Sequence, residues 1–168
     1  MGQHLPRILE REEVRRLLEA CNIATPTGAR NRAILELMYR AGLRVGEVCR
    51  LRTSDIRWDS EALVVNQSKN GSDRVVPLET GTLHLLRLWL QNRPKVKSPF
   101  LFVNIKGDQV AQVSTRYVQQ LMKLLARRAG VDPERVTPHV LRHCYATELL
   151  EEGFTIREVR QLLGHLWV

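Results

Sequence analysis

The chain has 168 residues, 43% hydrophobic and 26% charged, an ordinary mixture for a soluble globular protein and enough for one domain with a sizeable core. No apolar run approaches membrane-spanning length, and Met1–Arg7 lacks the apolar stretch of a secretory signal, so the expectation is a cytoplasmic protein without a membrane. A net charge of +8 favours a polyanionic partner, nucleic acid before membrane. The cysteines Cys21, Cys49 and Cys144 are odd in number and scattered, which argues against a disulfide framework or a cysteine zinc site.

Taken in chain order, Val14, Leu17, Leu18 and Cys21 follow the i, i+3, i+4, i+7 rule and predict a helix near residues 10 to 22. Thr25-Pro26-Thr27-Gly28 reads as a loop. Ile34, Leu37, Met38 and Ala41 predict a second helix, ended by Gly42. Val45, Val48 and Leu51 predict a short third helix that starts near Arg44. After Asp55 the texture changes. Ala62-Leu63-Val64-Val65 and Arg74-Val75-Val76-Pro77-Leu78 are apolar runs around Ser68-Lys69-Asn70-Gly71-Ser72-Asp73. Asn-Gly tolerates positive φ at both positions, so a small antiparallel sheet is expected, with Lys69 beside its turn.

Leu83, Leu86 and Leu90 mark a return to helix. Pro94 and Pro99 precede a predicted short strand, Phe100-Leu101-Phe102. Val118, Leu121, Met122, Leu125 and Ala129 define a longer helix, followed by Gly130 and Pro133. Thr137 is a good N-cap and Pro138 a good first helical residue, so a helix should run from there to about Glu152. Thr155 and Glu158 form a capping box for a last helix bearing Ile156, Val159 and Leu163, closed by Gly164. The expected class is α+β, mostly helical, with a small antiparallel β-sheet.

The segment Thr137-Pro138-His139-Val140-Leu141-Arg142-His143 carries the most chemistry. On a helix, His139, Arg142 and His143 fall within a sector of roughly 100°, while Leu141, Cys144 and Tyr145 point towards a core. The polar sector begins at the positive end of the helix, where a phosphate is the expected guest. Arg44 opens a helix directly after Gly42-Leu43, Lys69 lies at a hairpin tip, and His165 follows Gly164. Two guanidiniums, an ammonium and two imidazoles suit a phosphodiester whose phosphorus becomes five-coordinate, and the cations come from side chains rather than from a metal. Plainer readings exist. Glu47 would pair with Arg44 across one turn. Lys69 would be a solvated hairpin lysine, and His165 a helix cap. His139 and His143 also match zinc-ligand spacing, but no glutamate base lies between them and Arg142 puts a cation beside the metal.

In this order and spacing, four segments resemble the catalytic domain of the tyrosine recombinases, the phage-integrase family. They are Ala41-Gly42-Leu43-Arg44-Val45-Gly46-Glu47, Lys69-Asn70-Gly71-Ser72-Asp73-Arg74-Val75-Val76-Pro77-Leu78, His139-Val140-Leu141-Arg142-His143 and Leu162-Leu163-Gly164-His165. The resemblance implies that family's catalytic-domain fold and a reaction in which DNA is cleaved through a 3′-phosphotyrosyl link, exchanged and rejoined without metal or cofactor. It implies that Arg44 and Arg142 hold the scissile phosphate, that Lys69 is the general acid and His139 the general base, and that His165 hydrogen-bonds a phosphate oxygen. Glu47 and His143 would orient their neighbours. Double-stranded DNA is the implied partner, a tetramer on DNA the family's assembly, and the nucleoid the place of work.

Two departures shape the expectation. The family nucleophile is a tyrosine about nine residues, two and a half helical turns, past the last histidine, and this sequence stops at Leu166-Trp167-Val168. Tyr39, Tyr117 and Tyr145 read as packing residues, so no nucleophile is assigned in the chain. Residues 1–168 are read as a single catalytic domain, C-terminally truncated, without the separate N-terminal DNA-binding domain of the family and inactive alone. The alternatives are a non-catalytic DNA-binding module such as a helix-turn-helix regulator, a type IB topoisomerase-like enzyme, and a zinc hydrolase using His139, His143 and His165.

Overall fold

A computed structural model describes residues 8–66, 73–106 and 109–164, without the side chains of 105 and 106. Seven α-helices and five strands lie within these residues: α1 (Arg11–Glu19), α2 (Pro26–Arg40), α3 (Val45–Arg50), β1 (Ile56–Arg57), β2 (Ala62–Val65), β3 (Arg74–Pro77), α4 (Thr80–Asn92), β4 (Val103–Lys106), β5 (Gln109–Gln112), α5 (Thr115–Ala129), α6 (Pro138–Glu151) and α7 (Ile156–Leu163).

Helix α2 is the spine. Its residues Ala33 to Tyr39 are all buried, because α4 and α6 pack along it and α1 and α3 cover its remaining flanks. A helix surrounded in this way needs apolar residues on every side, which explains its weak two-sidedness. By contrast α5 keeps a clean apolar stripe, Val118, Leu121, Met122 and Leu125, against one layer of neighbours. Residues 25–28, read as a loop, instead begin α2: the Thr25 hydroxyl accepts the Gly28 N–H at 3.0 Å, and Pro26 occupies the first turn, where its missing N–H costs nothing.

Strands β1, β2 and β3 form an antiparallel sheet in that order, with Val65 opposite Arg74 and Ala62 opposite Pro77. The turn predicted around Asn70-Gly71, including Lys69, lies outside the described residues. A second antiparallel hairpin, β4 with β5, pairs Val103 with Gln112 and Asn104 with Ala111. The strand expected at Phe100–Phe102 starts three residues too early. Leu101 and Phe102 are fully buried, but Phe100 makes only an isolated bridge to Arg52, and the ladder starts at Val103. Burial, rather than pairing, accounts for that apolar run.

The last turns of the chain position the site. Gly42 leaves α2 at φ +70°, a left-handed conformation that favours glycine. A Cβ there would lie 2.4 Å from the Tyr145 ring of α6 and 2.9 Å from Leu163 Cδ2 of α7. The end of α2, the middle of α6 and the end of α7 therefore meet at one residue. The capping box expected for α7 is present, with the Thr155 hydroxyl accepting from the Glu158 N–H at 3.1 Å and the Glu158 carboxylate accepting from the Thr155 N–H at 2.8 Å.

Candidate active site

Glu47 is the centre of the site. It lies in the first turn of α3, 5% exposed, and its Oε1 accepts the Arg44 backbone N–H at 2.8 Å. Arg44 is the N-cap of α3, so the local helix start fixes where its side chain departs. That side chain is about one-third exposed, with Nη1 3.7 Å from Glu47 Oε2. Arg142 approaches from α6, with Nη1 3.7 Å from Glu47 Oε1. The two arginines singled out from the sequence, far apart along the chain, thus share one carboxylate.

Arg142 is not on an open polar face as the helix geometry suggested. It is 9% exposed, because α2 and α7 close over that side of α6. Its guanidinium donates from Nη1 to the Gly42 carbonyl at 2.8 Å and from Nη2 to the Leu163 carbonyl at 3.0 Å. Two of its five N–H groups are used in this way, which holds the planar fork in one orientation. Burial, and after it the nearby Arg44 cation, lowers the Arg142 pKa to about 10, partly offset by Glu47. At neutral pH it remains a cation. Burial by itself would raise the Glu47 pKa, but the hydrogen bonds from Arg74 and from the Arg44 N–H outweigh it, and the carboxyl sits below the ordinary glutamate value.

The third arginine, Arg74, was not among the residues singled out as catalytic. It starts β3, faces inward with Val76, and is 8% exposed. It grips Glu47 with both terminal nitrogens, at 2.5 and 2.9 Å, and its Nε donates to the Leu162 carbonyl at 3.1 Å. Strand alternation held the signal: counting by twos from the apolar Val76 puts a charged side chain on the buried face. Three guanidiniums around one carboxylate leave the cluster strongly cationic.

His139 stands in the first turn of α6 and is exposed, and His143, one turn on, is half-buried. Lys69 and His165 lie outside the described residues. The tyrosines pack as expected. Tyr39 donates its hydroxyl to Glu148, Tyr117 lies under the Arg30 guanidinium, and burial raises Tyr145 to about 12. The thiols of Cys21, Cys49 and Cys144 are buried and raised to about 11, which makes them poor nucleophiles. Beside α3 a groove of about 510 Å³ has Glu47 in its wall, with Arg50, Arg52, Asp55 and Gln112 along its length.

Residues 7–167 match the model of the phage integrase family. The chain belongs to that family. It is 44% identical over 161 residues to tyrosine recombinase XerA of Thermococcus kodakarensis, covering 96% of this chain and 55% of that protein. Among solved structures, the crystal structure of XerA recombinase superposes with a TM-score of 0.85 at 31% identity, over 99% of this chain and 58% of that one. XerH site-specific recombinase bound to difH substrate in a pre-cleavage complex gives 0.82 at 27% identity, over 97% of this chain and 48% of that one. The chain spans about half the length of the curated relatives it matches. The fold is therefore the phage integrase catalytic-domain fold, mostly helical with small antiparallel sheets, as the sequence motifs implied.

Proposed function

We propose that this phage integrase family domain binds double-stranded DNA and supplies the phosphate pocket for strand cleavage and rejoining in site-specific recombination. One observation carries the reading: Arg44 and Arg142, each the centre of its own sequence motif, converge on the same buried carboxylate. Charge-bearing forks held by a rigid frame are what a phosphodiester passing through a five-coordinate state requires. Arg142 is aimed by two carbonyls, and its other N–H groups would meet a non-bridging oxygen. Arg44 would take the second oxygen. His139 would accept the proton of the attacking hydroxyl, Lys69 would protonate the leaving 5′-oxygen, and His165 would hydrogen-bond the phosphate. Glu47 and His143 would orient these groups. Arg50 and Arg52, along the groove, would follow the neighbouring DNA backbone. Assembly of several copies around paired sites, on cellular DNA in the cytoplasm, belongs to the same proposal. Among the described residues, no helix is long and apolar enough to cross a membrane.

The test separates the pocket from the nucleophile. A nicked duplex carries a 3′-nitrophenyl phosphate, an aryl phosphodiester like the phosphotyrosyl link, beside a free 5′-hydroxyl, within randomised flanking sequence. The 5′-oxygen attacks phosphorus, its proton passes to a base, the new P–O bond forms and nitrophenolate leaves. We expect the chain to accelerate joining and the joined strands to share a sequence. Replacing Arg44 or Arg142 by Gln should slow joining by about 10²–10³-fold, the usual effect of removing one charge-stabilising donor. DNA binding without any joining would instead favour the non-catalytic DNA-binding module.

A further inference from the structure

Arg74 makes the shortest contact in the cluster, yet the roles above do not use it. It binds both oxygens of Glu47 at 2.5 and 2.9 Å, whereas Arg44 Nη1 and Arg142 Nη1 each stand 3.7 Å away, beyond hydrogen-bond length. The carboxylate is therefore held most tightly by an arginine that is nearly buried, and attracts the two others from a distance. A carboxylate and a phosphate compete for the same guanidinium fork. With Arg74 removed, Arg142 is a near guanidinium for Glu47 among the described residues, and closing its 3.7 Å gap would turn that fork away from a bound anion.

We propose that Arg74 is a positioning residue that occupies the Glu47 carboxylate and so keeps the Arg142 fork turned to the phosphate. The proposal rests on the recombinase reading above. Two further features support it. The inward register of β3 directs Arg74 at Glu47, with Val65 as its cross-strand partner. The Arg74 Nε bond to the Leu162 carbonyl lies next to the Leu163 carbonyl that orients Arg142, so one strand residue steadies both the carboxylate and the end of α7. The negative end of a helix is a favourable place for such a cation.

The test uses the same nicked duplex, with either the ordinary aryl phosphodiester or its methylphosphonate analogue, in which a neutral methyl group replaces the charged oxygen. Arg74→Gln should slow joining of the phosphodiester by about 30-fold, short of the loss for a direct donor. On the methylphosphonate, which gives the two arginines less charge to hold, the loss should shrink to a few-fold, and the half-saturating DNA concentration should move by less than about twofold. Arg74→Lys keeps the charge but loses the two-point grip, and should fall between wild type and Arg74→Gln. Should the Gln variant lose its helical circular dichroism, the Lys variant decides by the same ratio. If the wild-type chain joins neither substrate, both readings fall. If the wild-type chain joins while the Arg74 variants match it, or lose equally on both substrates, this proposal alone falls.

Discussion

Arg142 gives up most of its water to sit between α2, α6 and α7. Taking a guanidinium out of water costs several kcal/mol unless acceptors replace the lost hydrogen bonds. Here the Gly42 and Leu163 carbonyls accept at 2.8 and 3.0 Å, and Glu47 lies 3.7 Å away. Removing the carboxylate should therefore hurt stability before it hurts chemistry. Glu47→Gln leaves three guanidiniums around a neutral amide, and urea unfolding should show a loss of about 3–5 kcal/mol, the range for breaking a buried pair on one side. The lowered Arg142 pKa has a second consequence. This side chain begins to lose its charge near pH 10, where an ordinary guanidinium is still fully protonated. Stabilisation by sulfate, a stand-in for phosphate read as a rise in Tm, should fade between about pH 9 and 11 as the cation is lost. More sulfate should move that midpoint upward, since the anion favours the charged form. Full stabilisation persisting through this range would place the anion elsewhere.

At the scale of elements, three chain segments meet at Gly42 because nothing larger fits. Its φ of +70° and the Tyr145 ring 2.4 Å from a would-be Cβ act together. Gly42→Ala should destabilise the protein by about 2–4 kcal/mol, combining left-handed strain with overpacking of a core. Thermal unfolding gives the first measure. The second is loss of sulfate binding by the folded fraction, because the displaced carbonyl is the one that aims Arg142. An alanine variant as stable as wild type would show that α6 and α7 yield easily at this junction. The hairpin β4–β5 is tied down differently. Buried Arg30 of α2 bonds the Val103 carbonyl and the Asn104 side chain, and its guanidinium covers the Tyr117 ring of α5. Short polar strands of this kind owe their place to such anchors rather than to their own alternation, and the buried run at Leu101–Phe102 carries a stronger apolar pattern than the ladder beside it.

For the whole molecule, a charge of +8 sets the terms of the proposed association with DNA. If the two pocket arginines take one phosphate and Arg50 and Arg52 reach its neighbours, about three phosphates are engaged. Affinity for a duplex should then fall about 40-fold between 50 mM and 200 mM salt, a log–log slope near −3. Fluorescence anisotropy over that range checks it, and a slope near zero would remove the backbone contacts from the account. Most helix positions, the caps at Thr137 and Thr155, the β2–β3 hairpin and the two motif arginines were written in local patterns, since periodicity and capping depend on residues a few positions apart; the first turn of α2, read as a loop, was not. Arg74 shows where local pattern stops. Alternation places it on the inner face of β3, but only the packed fold reveals that Glu47, from another element, waits there. Sequence alone determined which side chains carry charge and which helix or strand presents them. Tertiary packing decided that Arg142 is buried rather than open to solvent, and that three arginines surround one carboxylate, because those distances are set by how α2, α3, α6, α7 and β3 close against each other and by no single stretch of chain.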